Sequence, residues 1–426
     1  MFKQYRKVVL LMLFFAAFIN YVDRAALSIA APHISKEFNL NPADMGLIFS
    51  SFFVGYALFN FIGGWMSDIL GPRKIFGAAM SIWSVFGGLT AITTSFTSLY
   101  IVRVLFGLGE GPIGSSNNKT INNWFPAGER ARAVGISTGG MSLGAALTGP
   151  IVAFMILHWG WRTPFIVLMI AGFIWTFFWV KLVTDHPRQS RRVSPEELQE
   201  IEAGQITTAE VKGKTSLAYF LKQPTVLATA IAFFASNYIL YFFLTWFPSY
   251  LVMAQGLSLK DMAIVSVIPW LIGFIGQVGG GFVSDAVYRK TGKLMFSRKV
   301  VIVSCLIGSA IGVSLGGMAT TAFGAVALMS LTIFCQYLTT SNYWAIIQDT
   351  VKGENVGGVG GFVHFLSNLA GIVGPAVTGY IVQSSGGNFS AAFLLAGALA
   401  IIGALAVAFA VKPIKEEAVL ESVPAK

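Results

Sequence analysis

Charge is scarce in this chain. Only 11% of its 426 residues are Asp, Glu, Lys or Arg, against about 25% in soluble domains, which excludes an ordinary water-soluble globular fold. Cysteine is scarcer still: Cys305 and Cys335 fall in separate apolar stretches, so no disulfide framework is expected. The four histidines, His33, His158, His186 and His364, have no metal-ligand spacing among them. No Walker A loop is present, and Gly139-Gly140 and Gly357-Gly358 lack the preceding strand that a phosphate loop requires. Neither enzyme chemistry, a metal nor another cofactor is expected.

What the chain has in quantity is apolar sequence, 55% of its residues. Twelve runs are long enough to cross a bilayer as helices. They cover about 8–30, 44–66, 75–94, 97–121, 131–157 and 162–183, then 223–253, 261–287, 299–318, 322–347, 355–383 and 389–411. The short alternating segments of a membrane β-barrel are missing. The reading is therefore an all-α membrane protein of twelve transmembrane helices.

The net charge of +10 invites a nucleic-acid partner, but the positions of the charges reject it. Of 29 Lys and Arg, Arg24 and Arg103 lie within spans; Lys36, Arg162 and Lys260 fall on one side of the membrane and the other 24 on the opposite side. That asymmetry is the positive-inside pattern, and it places both termini in the cytoplasm. A nucleic-acid patch would instead gather on one face of one domain. The first apolar run follows Lys3, Arg6 and Lys7 in the manner of a signal peptide. Cleavage near Ala30 would leave an odd number of spans and discard two charges, so the run is read as a retained helix.

An internal repeat organises the whole. Gly63-Gly64-Trp65-Met66-Ser67-Asp68 returns 217 positions later as Gly280-Gly281-Phe282-Val283-Ser284-Asp285, and Asn20-Tyr21 as Asn237-Tyr238. Arg73-Lys74 returns 225 positions later as Arg298-Lys299, and the new offset holds for Gly135 with Gly360, Ser142 with Ser367 and Gly149-Pro150 with Gly374-Pro375. Two pseudo-symmetric six-helix bundles in parallel orientation follow, with the substrate expected at their interface near the midplane. The bundles are assigned to 1–183 and to 223–426 with its short cytoplasmic tail; 184–222 is read as a solvated cytoplasmic linker holding a short Ser-capped helix from Pro195.

Two clusters of charge lie inside predicted spans. Asp23 and Arg24 sit near the middle of the first, where a charge costs about 2.5–3.5 kcal/mol to insert. Neighbours on a helix point about 100° apart, so they are poorly placed to neutralise one another. In the fourth, Arg103 and Glu110 share a face about 10 Å apart along the axis and are expected to bracket something between them. Gly107, Gly109 and Gly111 thin that helix for close packing. Burial favours the neutral form of a carboxylate and a nearby guanidinium the charged form, so a group balanced between them can exchange a proton.

At the ends of the second and third spans, Gly64-x-x-x-Asp68 and Gly71-Pro72-Arg73-Lys74 resemble the signature of the major facilitator superfamily. Asp68 with Arg73, and Asp285 with Arg298 in the second copy, are read as pairs that form in one conformation and break in another, as a gate does. Tyr21-x-Asp23-Arg24, Arg103-x-x-x-Gly107-x-x-Glu110-x-Pro112 and Trp124-Phe125-Pro126-x-x-Glu129-Arg130 together resemble the anion:cation symporter family over essentially the whole chain. Within it the chain is most similar to bacterial proton-coupled sugar-acid transporters of the galactonate, glucarate and hexuronate type.

That resemblance implies the major facilitator fold in the bacterial inner membrane, and import of an organic monocarboxylate with protons by alternating access. It implies that Arg24 holds the substrate carboxylate as a lone guanidinium, that Asp23 and Glu110 carry protons, that Arg103 tunes them, and that Tyr21 and Tyr56 line the pocket. In the second half Leu240-Tyr241 stand where Asp23-Arg24 stand, and Cys335 where Glu110 stands. Charge recognition is thus assigned to the first half. The second offers neutral hydrogen-bonders for a polyhydroxylated substrate, with Asn237, Tyr241, Ser341, Tyr343, Trp344, His364 and Asn368 as candidates. Partners are a small organic anion, protons and the bilayer, with the chain acting as a monomer. An organophosphate/phosphate exchanger would favour a basic residue from each half, and a membrane sensor would carry a large output module; monocarboxylate symport fits better than either.

Overall fold

The computed structural model describes residues 4–203, 217–351 and 356–412, and among them every regular element is a helix. The first half holds α1 (Arg6–Phe38), α2 (Pro42–Leu70), α3 (Pro72–Leu89), α4 (Phe96–Glu110), α5 (Ile113–Trp124), α6 (Ala127–Trp159) and α7 (Thr163–Leu182). Two short helices, α8 (Pro195–Ala203) and α9 (Leu217–Leu221), precede the second half. That half comprises α10 (Pro224–Met253), α11 (Leu259–Val265), α12 (Val267–Thr291), α13 (Leu294–Gly316), α14 (Ala322–Thr350), α15 (Val356–Ser384) and α16 (Ser390–Ala410).

Helix boundaries follow local chemistry. Asn41 caps α2 in a reciprocal box with Asp44, with Pro42 in the first turn, where its missing N–H costs nothing. Gly71, at φ 87°, turns the chain from α2 into α3; a side chain there would be strained and would also meet the Asp185 carboxylate at 2.4 Å.

Eleven helical segments among the described residues are long and apolar enough to cross a membrane. The predicted fourth span does not count among them, because it is divided into α4 and α5 at Gly111-Pro112. Proline has no N–H for the ladder and crowds the carbonyl four residues back. The same effect at Pro269, four residues after Val265, separates α11 from α12.

Contacts divide the chain into two compact units. One is Met1–Thr207 with Ser258–Val267, the other Thr208–Leu257 with Ile268–Lys426. In the first, α1 packs on α6 and α7, α2 on α4, and α3 on α4 and α7; α11 lies against α6. In the second, α10 packs on α15 and α16, and α13 on α14 and α16. The pairings of the first unit thus recur at repeat-related helices. The α2–α4 contact is close because a Cβ on Gly55 would stand 2.0 Å from Val104 O and one on Gly107 2.0 Å from Phe52 O. Gly276 and Gly280 of α12 meet the Phe334 and Leu338 carbonyls of α14 in the same way. Between helices in lipid there is no hydrophobic gain, so such close packing is what binds them.

The stretch after α7, expected to be a solvated tether, is anchored over the part described. Glu197 of α8 is buried and accepts from Tyr5 N at 2.8 Å and Arg6 N at 2.9 Å. The Arg6 side chain is 2% exposed and reaches Glu200 at 2.6 Å and Glu129 at 3.3 Å. Helix α8 therefore satisfies donors at the start of α1 that no helical carbonyl can reach.

Candidate functional site

The four intramembrane charges of the first unit converge. Asp23 and Arg24 part company, as adjacent helix positions dictate. Arg24 turns to α4 and donates to Glu110 Oε2 from Nη2 at 2.7 Å and from Nε at 3.3 Å. Both side chains are withdrawn from solvent, 7% and 0% exposed. The guanidinium lies 4.8 Å from the Phe52 ring centre, 5.0 Å from Tyr56 and 5.3 Å from Tyr21. Cation–π contacts at desolvated sites contribute about 2 kcal/mol, so the aromatic wall offsets part of the cost of burying the charge. Arg24 is thus not the lone guanidinium expected: it is held by a carboxylate of its own chain.

Asp23, also buried, accepts from Trp83 Nε1 of α3 at 3.2 Å. Arg103 stacks over Phe106 at 4.5 Å and Phe52 at 5.3 Å. Arg103 and Glu110 of α4 thus both lie beside the Asp23–Arg24 step of α1, Glu110 bonded to Arg24 and Arg103 within the field of both residues. Gly109 lets α4 approach α3 closely enough for this, since a Cβ on it would stand 2.7 Å from the Trp83 backbone nitrogen.

The cluster is not saturated. Arg103 Nε is buried without a hydrogen-bond partner, while Glu110 Oε1 and Asn20 Nδ2, both buried, have only a weak contact with one another. Leaving a buried polar atom unsatisfied costs about 1–3 kcal/mol, so the ion pair sits among polar groups that are incompletely bonded.

The second unit brings together part of its predicted set. Tyr241 of α10 donates to Asn368 Oδ1 at 2.6 Å, and Asn237 Nδ2 to Ser367 Oγ at 3.2 Å. Asn368 Nδ2 donates to His364 O at 2.7 Å and lies 3.2 Å from the His364 ring nitrogen Nδ1. Trp344 adds an aromatic wall 5.8 Å from His364. Tyr343 meets this cluster through Phe233, which lies 6.4 Å from Trp344 and 6.1 Å from His364. It is fully buried, stacks on Phe233 at 4.7 Å and reaches Ala232 O at 3.3 Å. Ser341 is exposed, on the side of α14 that meets Gly280 of α12.

Of the four gating candidates, Arg298 contacts Asp285 at 3.4 Å and also Ser284 Oγ at 2.8 Å and Asp349 at 3.6 Å. Arg73 donates from its guanidinium to Val180 O at 2.5 Å and from its backbone to Asp185 at 2.8 Å. The side chain of Asp68 lies outside the described residues. Phe52, Trp83, Asn20 and Asp349 are functional neighbours that sequence reasoning did not assign to these sites. Asn20 and Trp83 each have a sign in the repeat, Asn20 in its match with Asn237 and Trp83 in the Gly308 at its matched position.

The family profile described as Major Facilitator Superfamily matches residues 13–297 and 291–425. The chain is 50% identical over 416 residues to the hexuronate transporter of Bacillus subtilis (strain 168), covering 97% of this chain and 96% of that one. It is 34% identical over 431 residues to the probable galactarate/D-glucarate transporter GarP of Escherichia coli (strain K12), covering 96% and 95%. A crystal structure of a bacterial homologue of the human lysosomal transporter Spinster matches the fold at a TM-score of 0.79, with 17% identity and full coverage of both chains. With these matches, the two six-helix halves and the apolar spans, the chain belongs to the Major Facilitator Superfamily, as a multi-pass membrane transporter and not an enzyme.

Proposed function

We propose that this protein imports a sugar acid of the hexuronate class together with protons, as a monomer in the bacterial inner membrane with both termini in the cytoplasm. The observation that carries the reading is the Arg24–Glu110 ion pair in its aromatic wall, at 2.7 Å. Charged, Glu110 competes with any incoming carboxylate for the guanidinium. Protonated, it releases the positive field of Arg24, and a substrate carboxylate can take the donors in its place. Proton and anion therefore assist each other, and by linkage the assistance is mutual.

Asp23 is the second proton carrier and Arg103 sets the field around both carboxylates. Tyr21 and Tyr56 flank the carboxylate end. Hydroxyl recognition is assigned to Asn237, Tyr241, His364 and Asn368, with Trp344 as an apolar face; Ser341 has a lesser part, and Tyr343 supports the helices rather than the ligand. Asp68, Arg73, Asp285 and Arg298 act as gating charges. The names of the relatives support the substrate class, since hexuronate, galactarate and glucarate are all polyhydroxylated carboxylates. The test is uptake of labelled glucuronate and galacturonate into proteoliposomes under an imposed inward proton gradient. Concentrative uptake abolished by a protonophore is expected; uptake indifferent to the gradient refutes the coupling.

A further inference from the structure

Buried aromatic residues differ between matched positions of the two halves: Trp175 and Trp179, stacked on one another against Phe76, correspond to Ala400 and Ala404. What singles out Trp83 among such residues is its contact with the charges. Asp23, Arg103 and Glu110 correspond to Leu240, Leu328 and Cys335. Trp83 corresponds to Gly308, which faces Cys335 Sγ across the equivalent helix pair. The largest side chain on α3 is thus present where the carboxylates are and absent where they are not.

Geometry gives the reason. Trp83 is 0% exposed, its backbone is pressed against α4 at Gly109, and its Nε1–H reaches Asp23 Oδ2 at 3.2 Å. Among the described residues this indole supplies the side-chain hydrogen bond to Asp23. The other charged or titratable groups around Asp23 are Glu110 and Arg103 from α4, Arg24 beside it on α1, and Tyr21 and Tyr56 in the wall around Arg24. An indole nitrogen donates and cannot accept. It favours the carboxylate and gives nothing equivalent to the carboxylic acid.

We propose that Trp83 is a positioning residue for proton coupling, its indole N–H holding the Asp23 carboxylate in the geometry from which it gains and releases the transported proton. The inference rests on the proton-coupled reading above. Trp83→Phe keeps an aromatic ring and removes the donor, whereas Trp83→Tyr restores an O–H donor. The experiment measures counterflow of glucuronate in proteoliposomes at equal internal and external pH, across a pH series, for wild type, both variants and Trp83→Phe within Glu110→Gln. Exchange requires the protonated, loaded carrier, so it falls off at high pH. Losing one hydrogen bond to a charged group displaces that fall-off upward by about one pH unit in Trp83→Phe, with KM at the plateau unchanged, and Trp83→Tyr restores it part of the way. The displacement persists in the Glu110→Gln background if Asp23 is the group that moved. An unshifted profile in Trp83→Phe overturns the proposal, as does equal loss of exchange at every pH in both variants, which makes the indole a packing element. A wild type whose uptake ignores an imposed gradient counts against the coupling reading itself.

Discussion

At matched positions of the first, third and fourth spans, the first half holds Asp23, Arg24, Trp83, Arg103 and Glu110, while the second holds Leu240, Tyr241, Gly308, Leu328 and Cys335. The frames around these positions are alike: α1 packs on α6 as α10 packs on α15, and α3 on α7 as α13 on α16. Duplication has kept the packing and divided the chemistry. Each intramembrane charge costs several kcal/mol, so the charges gather in one cluster where they neutralise one another. The second half is left with neutral hydrogen bonds such as Tyr241–Asn368, each contributing about 0.6 kcal/mol in comparable membrane helices. One half therefore holds the buried charges and the other the neutral hydrogen-bonding groups.

The comparison is broken most directly at the repeat-related pair Arg24 and Tyr241. Arg24→Lys keeps the charge but not the planar two-donor fork that meets Glu110 and that an incoming carboxylate would take. Glucuronate binding is expected to weaken by at least a hundredfold, in protein that still elutes as a single species. Affinity within threefold of wild type would remove Arg24 from the site. Tyr241→Phe should raise KM by only about fivefold, the worth of one neutral hydrogen bond. A loss as large as that of Arg24→Lys would show that the second half carries as much of the binding as the first.

Glu110→Gln sharpens the division between binding and coupling. The amide mimics the protonated side chain, so substrate still reaches Arg24 and counterflow survives, while accumulation driven by a pH gradient falls to background. Cys335→Ser, at the matched position of the second half, should leave both assays within about twofold, because the residue carries no charge to lose. If Glu110→Gln still concentrates substrate in response to the gradient and Asp23→Asn does too, the proton travels by another group, His364 being the next to test.

How much of this was legible beforehand follows from what each residue costs. Asp23, Arg24, Arg103 and Glu110 stand out in apolar sequence because burying a charge needs a reason, and the structure gathers all four. The repeat was legible through Gly63-Gly64 and Gly149-Pro150, since close packing and proline kinks constrain sequence. Phe52 was not, because an aromatic residue in an apolar helix reads the same whether it faces lipid, core or a guanidinium, and Trp83 differs from its neighbours only in having Gly308 at the matched position. Tyr343 differs from its neighbours for a helical reason: Ser341 and Trp344, three apart, share a face, and Tyr343 points about 100° away from Trp344 and stacks on Phe233. The anchor at Glu197 left no mark in the polar composition of the linker, and residues 204–216 lie outside the described residues.

That anchor supplies the smallest difference between the halves. Arg6 at the head of α1 corresponds to Gln223 at the head of α10, and only the former can draw in the carboxylates of α8. Bonding to the Arg6 guanidinium holds the Glu200 carboxyl below its ordinary value. Because the folded-state value is depressed, the stabilisation is present in full above the unfolded carboxylate range and is lost as pH falls through the folded one. Glu200 is about half exposed, and pairs of that kind contribute at most about 1 kcal/mol. Glu200→Gln should therefore lower the Tm of the purified full chain by about 1–2 °C at pH 7, and by progressively less as pH falls well below the ordinary carboxylate range of about 4. A deficit that stays the same size as pH falls would assign the contact to packing rather than charge, and would leave the two helix heads electrostatically equivalent.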